Sequence, residues 1–155
     1  RVLGVDRSAE MLAVARRRAE RHRLGTVRLL ESDALELDAR SVVAQLGGPA
    51  DIVIATYTLS IMADPDEAWR RAVATARPGA RVAIVDMQPP TGVARLVAPL
   101  ARAFAGFGGA DLDAHPWRLL DRTAVGARGR SLRGGHIQVR IATLPMTPAL
   151  PDGVS

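Results

Sequence analysis

The chain has 155 residues, 48% hydrophobic and 24% charged, values that fit one globular domain with its own core and argue against extended disorder. It has no cysteine, which removes disulfides and thiolate metal sites, and no apolar run reaches the roughly 18 residues of a membrane-spanning helix. The formal net charge is +5 and every basic residue is arginine, but aromatic residues make up only 3%, leaving little surface for base stacking, so nucleic acid is disfavoured as a partner.

Residues 2–5 form a continuous apolar run, the pattern of a strand buried on both faces of a parallel sheet, and the run ends in Asp6. Ser8 is a good helix N-cap, Glu10 complements the helix dipole, and Met11, Leu12, Ala15 and Ala19 recur at helical spacing until Gly25 stops the helix. Residues 27–31 read as a second strand, followed by Ser32-Asp33-Ala34. Residues 38–46 read as a short helix closed by Gly47-Gly48-Pro49, and residues 51–56 as a third strand. Residues 57–63 form a loop or helical turn. Asp64-Pro65 then opens a helix expected to run to residue 76, with Asp as N-cap and Pro at the first helical position. Arg77-Pro78-Gly79-Ala80 is expected to turn the chain into a fourth strand, 81–86. Beyond Pro89-Pro90, residues 93–104 are expected to be helical with a kink at Pro99, and residues 106–109 flexible. His115-Pro116-Trp117 leads into a short helix through Arg122. An Arg- and Gly-rich loop comes next, then a last strand over 136–144. The chain is expected to form one domain over residues 1–144 with a frayed tail over 145–155. Alternation of strand and helix predicts an α/β fold with a doubly wound sheet.

The chemistry-bearing candidates gather where predicted strands end. Asp6 ends the first strand, where a carboxylate can accept two ribose hydroxyls; an acid capping the adjacent helix explains it equally well. Asp33 comes just after the second strand. There it can accept from an adenine amine while the Ala34 amide faces a ring nitrogen, or it can form an Asx turn. Thr56, Tyr57 and Ser60 lie at and after the end of the third strand, and Tyr57 carries a hydroxyl able to orient a substrate. Asp86 ends the fourth strand and is expected to orient a loop. His115 and Trp117 are weaker candidates for a substrate pocket, against a packed loop corner. No nucleophile elbow is present, and His22, His115 and His136 show no metal spacing, so no metal site is expected. The loop holding Arg122, Arg128, Arg130 and Arg133 is either a solvated surface or a contact for phosphate headgroups at a membrane.

These residues together resemble a known family. Leu3-Gly4-Val5-Asp6-x-Ser8-x-x-Met11-Leu12 is similar to the second-strand motif of class I S-adenosylmethionine-dependent methyltransferases, and Ser32-Asp33-Ala34 to their adenine-side motif. The segment from Asp51-Ile52-Val53-Ile54 through Tyr57-x-Leu59-Ser60 to Asp64-Pro65 resembles their fourth-strand region. The stretch from Arg77-Pro78-Gly79-Ala80 to Asp86 resembles their Pro-Gly turn and fifth strand. The resemblance implies a Rossmann-like sheet of seven strands and S-adenosylmethionine as cofactor. It also implies cofactor contacts at Asp6, Arg7, Met11, Asp33, Ala34, Thr56 and Tyr57, with Ser60, His115 and Trp117 toward the substrate. Short motifs, including Gly109-Ala110-Asp111-Leu112-Asp113, are similar to quinone- and aminolipid-modifying members, which implies a small-molecule or lipid acceptor. A cytoplasmic location fits this reading.

The family's first strand and Gly-x-Gly-x-Gly turn have no counterpart in the sequence. The chain is therefore expected to bind the cofactor poorly alone, and either it is part of a longer protein, the favoured reading, or another chain supplies the missing strand. Two other readings stay open on the sequence. A nicotinamide-dependent oxidoreductase also places a ribose-binding acid after its second strand, although no Tyr-x-x-x-Lys pair is possible without lysine. A non-catalytic, methyltransferase-like association module would not need the glycine turn.

Overall fold

The computed structural model describes residues 1–89 and 115–146. The expected helix over 93–104, the glycine-rich stretch 106–109, the motif at 109–113 and most of the tail lie outside the described residues. The chain divides into two compact units, one of residues 1–50 and 66–76, the other of residues 51–65 and 77 onward.

In the first unit, β1 (Val2–Asp6) and β2 (Val27–Glu31) form a parallel pair, with Val2 opposite Val27 and Asp6 opposite Glu31. Helix α1 (Ala9–Arg21) connects them and packs on both, burying Leu12. Its start is dictated locally: the Ser8 side chain accepts from the Met11 amide at 3.2 Å and donates to Glu10 at 2.9 Å. Helix α2 (Ala39–Leu46) is capped by Asp38, which accepts from the amide and hydroxyl of Ser41. It ends at Gly47, whose φ of 81° most side chains resist. The terminal carbonyls of α2 are taken up by arginines from the strand region, Arg1 on Leu46 and Arg28 on Gln45. Helix α3 (Pro65–Val73) buries Ala68 and Trp69 and carries Glu67 on Arg70 and Arg71.

The expectation that residues 2–5 are buried on both faces is corrected. Val2 is 56% and Val5 37% exposed, because β1 is paired with β2 alone among the described strands.

The second unit holds a four-stranded sheet in the order β3-β4-β6-β5, from β3 (Ala50–Thr56), β4 (Ala76–Met87), β5 (Val125–Leu132) and β6 (Ile137–Thr143). The β4–β6 and β6–β5 pairs are antiparallel. Strand alternation sends Ala80, Val82, Ile84 and Asp86 to one fully buried face. Helix α4 (Arg118–Thr123) packs on β5 and β6 and buries Leu119 and Leu120.

Several boundaries differ from the expectation, and α3 ends at Val73 rather than at residue 76. The Pro-Gly segment is no separate turn: β4 begins at Ala76, and the Gly79 amide donates to the Pro145 carbonyl while the Ala80 carbonyl accepts from Leu144. Long-range pairing thus extends a segment that local turn chemistry would end, with Gly79 at φ 71° absorbing the irregularity. The Arg- and Gly-rich stretch, expected as a loop, is strand β5. Its pairing with β6 overrides glycines at 126 and 129, with a register shift between Val125 and Arg128.

Candidate functional site

The carboxyl end of the β1–β2 pair gathers the first group of candidates. Asp6 ends β1 and lies opposite Glu31, and the Asp6 carbonyl accepts from the Ser32 amide at 3.1 Å. Asp33 is the next residue along. Adjacent strands lie about 4.8 Å apart, so the two acids are held at one edge.

Each acid caps the turn on its C-terminal side. Asp6 Oδ1 accepts from the Ser8 amide at 2.9 Å, which fixes the turn into α1. Asp33 Oδ1 accepts from the Leu35 amide at 2.8 Å and opens a 3₁₀ turn, Ala34–Glu36. The second carboxylate oxygen of each has no partner among the described residues. The two readings of Asp6, cap and ligand acceptor, are therefore compatible: one oxygen serves the cap and the other stands open at an exposed edge. Ala34 occupies the first position of the 3₁₀ turn, where helix geometry gives its amide no internal acceptor. Arg7 is exposed. Met11 stands in the first turn of α1 with 56% of its surface exposed. An edge with two half-satisfied carboxylates, a backbone amide without an internal acceptor and an exposed thioether suits a nucleoside: hydroxyls and an amine to donate, a ring nitrogen to accept and an apolar base to cover.

The second unit carries the remaining candidates at the end of β3. Thr56 is exposed. Tyr57 has a φ of 52°, a left-handed conformation uncommon for a bulky residue, and is held there by its amide donating to the Val85 carbonyl at 2.8 Å. Its side chain is 43% exposed.

Ser60 stands apart from its neighbours. It is buried, and its hydroxyl donates to Asp86 Oδ1 at 2.7 Å while its amide donates to Oδ2 at 3.2 Å. Asp86, itself fully buried, also accepts from the Met87 amide. The Ser60 hydroxyl is thus committed to holding its own loop, the orienting role expected of Asp86.

His115 and Trp117 are brought together, with ring centroids 5.1 Å apart in an edge-to-face arrangement. Trp117 is buried, and the Arg140 guanidinium lies 5.9 Å from its ring centroid. This is the geometry of a packed corner.

A network at the start of β6 was not anticipated from sequence. His136 Nδ1 donates to the Gln88 carbonyl at 2.5 Å, and the Gln88 amide donates to the His136 carbonyl at 2.9 Å. The Gly135 carbonyl accepts from the side chains of Gln88 and Gln138. His136 and Gln88 lie 48 positions apart, so only the fold joins them.

Solved structures share this fold. An O-methyltransferase family protein from Burkholderia thailandensis matches with a TM-score of 0.63 at 20% identity, over 93% of this chain and 42% of that one. The N-methyltransferase NodS from Bradyrhizobium japonicum WM9, in complex with S-adenosyl-L-homocysteine, matches with a TM-score of 0.63 at 12% identity, over 94% and 67%. The S-adenosylmethionine-dependent methyltransferase SibL matches with a TM-score of 0.62 at 22% identity, over 94% and 43%. The chain thus spans less than half of two of these proteins and two thirds of the third. No curated protein matches. The fold is the Rossmann-like α/β fold of class I methyltransferases. The profile of a methyltransferase domain family matches residues 1–105, more than half of the sequence, and the chain belongs to that family.

Proposed function

We propose that this domain takes part in S-adenosylmethionine-dependent methyl transfer to a small-molecule or lipid acceptor. The observation that carries the reading is the edge holding Asp6 and Asp33, each with one oxygen committed to the backbone and one open. In this reading the open oxygen of Asp6 accepts from the cofactor ribose and that of Asp33 from the adenine amine. The Ala34 amide faces the adenine ring, and Met11 and Arg7 border it. Within the second unit, Thr56 and Tyr57 stand at the end of β3, and Tyr57 is the candidate for orienting the acceptor.

The bound cofactor supplies a sulfonium methyl that a nucleophile displaces directly. Such a transfer asks the protein for alignment more than for covalent help. The lack of a nucleophile elbow in the sequence is consistent with that demand. Tyr57 suits it too: a backbone in a left-handed conformation, tied to Val85, carries a partly exposed phenol. Ser60 supports this loop through Asp86, so its place in the reading is to position Tyr57. His115 serves as a weaker substrate contact beside buried Trp117. Among the described residues no helix is long and apolar enough to cross a membrane, and the proposed setting is the cytoplasm.

The reading is tested with the gene product that carries these residues, titrated separately with S-adenosylhomocysteine and NADH. Saturable binding of the first and none of the second is expected. The reverse preference would assign the Asp6 edge to a nicotinamide cofactor.

A further inference from the structure

The arginines are unevenly placed. Residues 122–144 contain five, Arg122, Arg128, Arg130, Arg133 and Arg140, and no acid. The rest of the chain is balanced, so the whole formal charge of +5 falls in residues 122–144, with Arg122 in α4 and the other four arginines in the β5–β6 hairpin.

The fold sorts these arginines. Arg140 is partly buried, lies over Trp117 and donates to the Val139 and Arg130 carbonyls. Arg128, Arg130 and Arg133 are exposed and enter no ion pair among the described residues. Strand alternation puts Arg128, Arg130 and Leu132 on one face of β5. Their partners across the ladder are Ile141, Val139 and Ile137, so the same face presents cations and aliphatic side chains together. Leu132 is 42% and Ile141 41% exposed. Among the described strands β5 lies at the edge of the sheet, and every residue in it is exposed.

We propose that this face of the β5–β6 hairpin docks on an anionic lipid bilayer. Guanidinium groups would meet lipid phosphates, while Leu132 and Ile141 reach the apolar boundary beneath. The composition of the face favours a bilayer over nucleic acid. Neither β5 nor β6 contains an aromatic residue, so the face offers bases no ring to stack on, whereas branched aliphatics between arginines gain from an apolar phase. The proposal is independent of the methyl-transfer reading, since it uses none of the proposed cofactor contacts.

The test is flotation of the full chain with vesicles of phosphatidylcholine alone and of phosphatidylcholine mixed with phosphatidylglycerol. Binding only to the mixed vesicles, weakened by added salt, is expected. The paired substitution Arg128→Glu with Arg130→Glu should reduce it by about tenfold or more, since each basic residue near such a surface contributes comparably. Leu132→Ser should reduce it further at any salt concentration. The neutral pair Arg128→Gln with Arg130→Gln serves if charge reversal impairs folding, and the salt dependence of the unmodified chain reads the same interaction without any variant. The proposal is overturned by absence of binding to mixed vesicles, by equal binding to neutral ones, by unchanged binding of the folded paired variant, or by tighter binding to an oligouridine strand than to the vesicles.

Discussion

Ser60 and Asp86 join the loop after β3 to the end of β4 through two hydrogen bonds, 2.7 Å from hydroxyl to Oδ1 and 3.2 Å from amide to Oδ2, with both residues buried. A buried carboxylate is costly unless its oxygens are satisfied, and here three donors satisfy it. Ser60→Ala removes one charge-assisted bond and should destabilise the protein by about 1.5–3 kcal/mol. Asp86→Ala strands the Ser60 hydroxyl and amide together and should cost more. Urea unfolding of both variants checks this. A Ser60→Ala midpoint equal to that of the unmodified protein would mean that the pair does not hold the loop.

Tyr57 pays for its position in backbone energy. A left-handed conformation costs a non-glycine residue about 1–2 kcal/mol, and Tyr57 holds φ at 52°. Comparison of two variants isolates this cost, because both lose the phenol. Tyr57→Gly should be more stable than Tyr57→Ala by about 1 kcal/mol in thermal unfolding, and neither should support methyl transfer at the original rate. A glycine variant less stable than the alanine variant would remove the case for strain at this residue.

Glu67 sets an acid limit for α3. Hydrogen bonds from Arg70, then Arg71, hold its carboxyl at about 2, below the ordinary 4.5. A depressed acid contributes stability that is fully present above the ordinary value and is lost as pH falls toward the folded one. Between pH 4.5 and about 2 the protein should therefore lose stability that Glu67→Gln has already given up. The two unfolding curves should converge across that window. A constant separation down to the acid end would place the acid sensitivity elsewhere.

Much of the fold was legible because its signals are local. Ser8, Asp38 and Gly47 act at the helix ends where their chemistry places them, and the strands ending at Asp6 and Glu31 fall where the apolar runs end. The features that escaped depend on partners distant in sequence. Ser60 looks like a site residue until Asp86, 26 positions away, takes its hydroxyl. Strand β5 reads as a loop because its glycines and arginines carry no apolar alternation, and only the ladder with β6 makes it a strand. The same holds for the Pro-Gly segment, extended by its bonds to residues 144 and 145. Asp6 and Asp33 were legible as candidates, and the structure adds that each divides its oxygens between a cap and an open edge.

The central claim is that this edge receives the nucleoside of S-adenosylmethionine. Calorimetric titration of S-adenosylhomocysteine into the gene product carrying these residues, with and without Asp6→Ala, tests it most directly. Loss of a charge-assisted bond is worth about 1.5–3 kcal/mol, so affinity should fall about tenfold or more, with Asp6→Asn intermediate because it keeps one acceptor for the Ser8 amide. Equal affinity in a folded Asp6→Ala protein would contradict the account, leaving Asp6 a helix cap and nothing more.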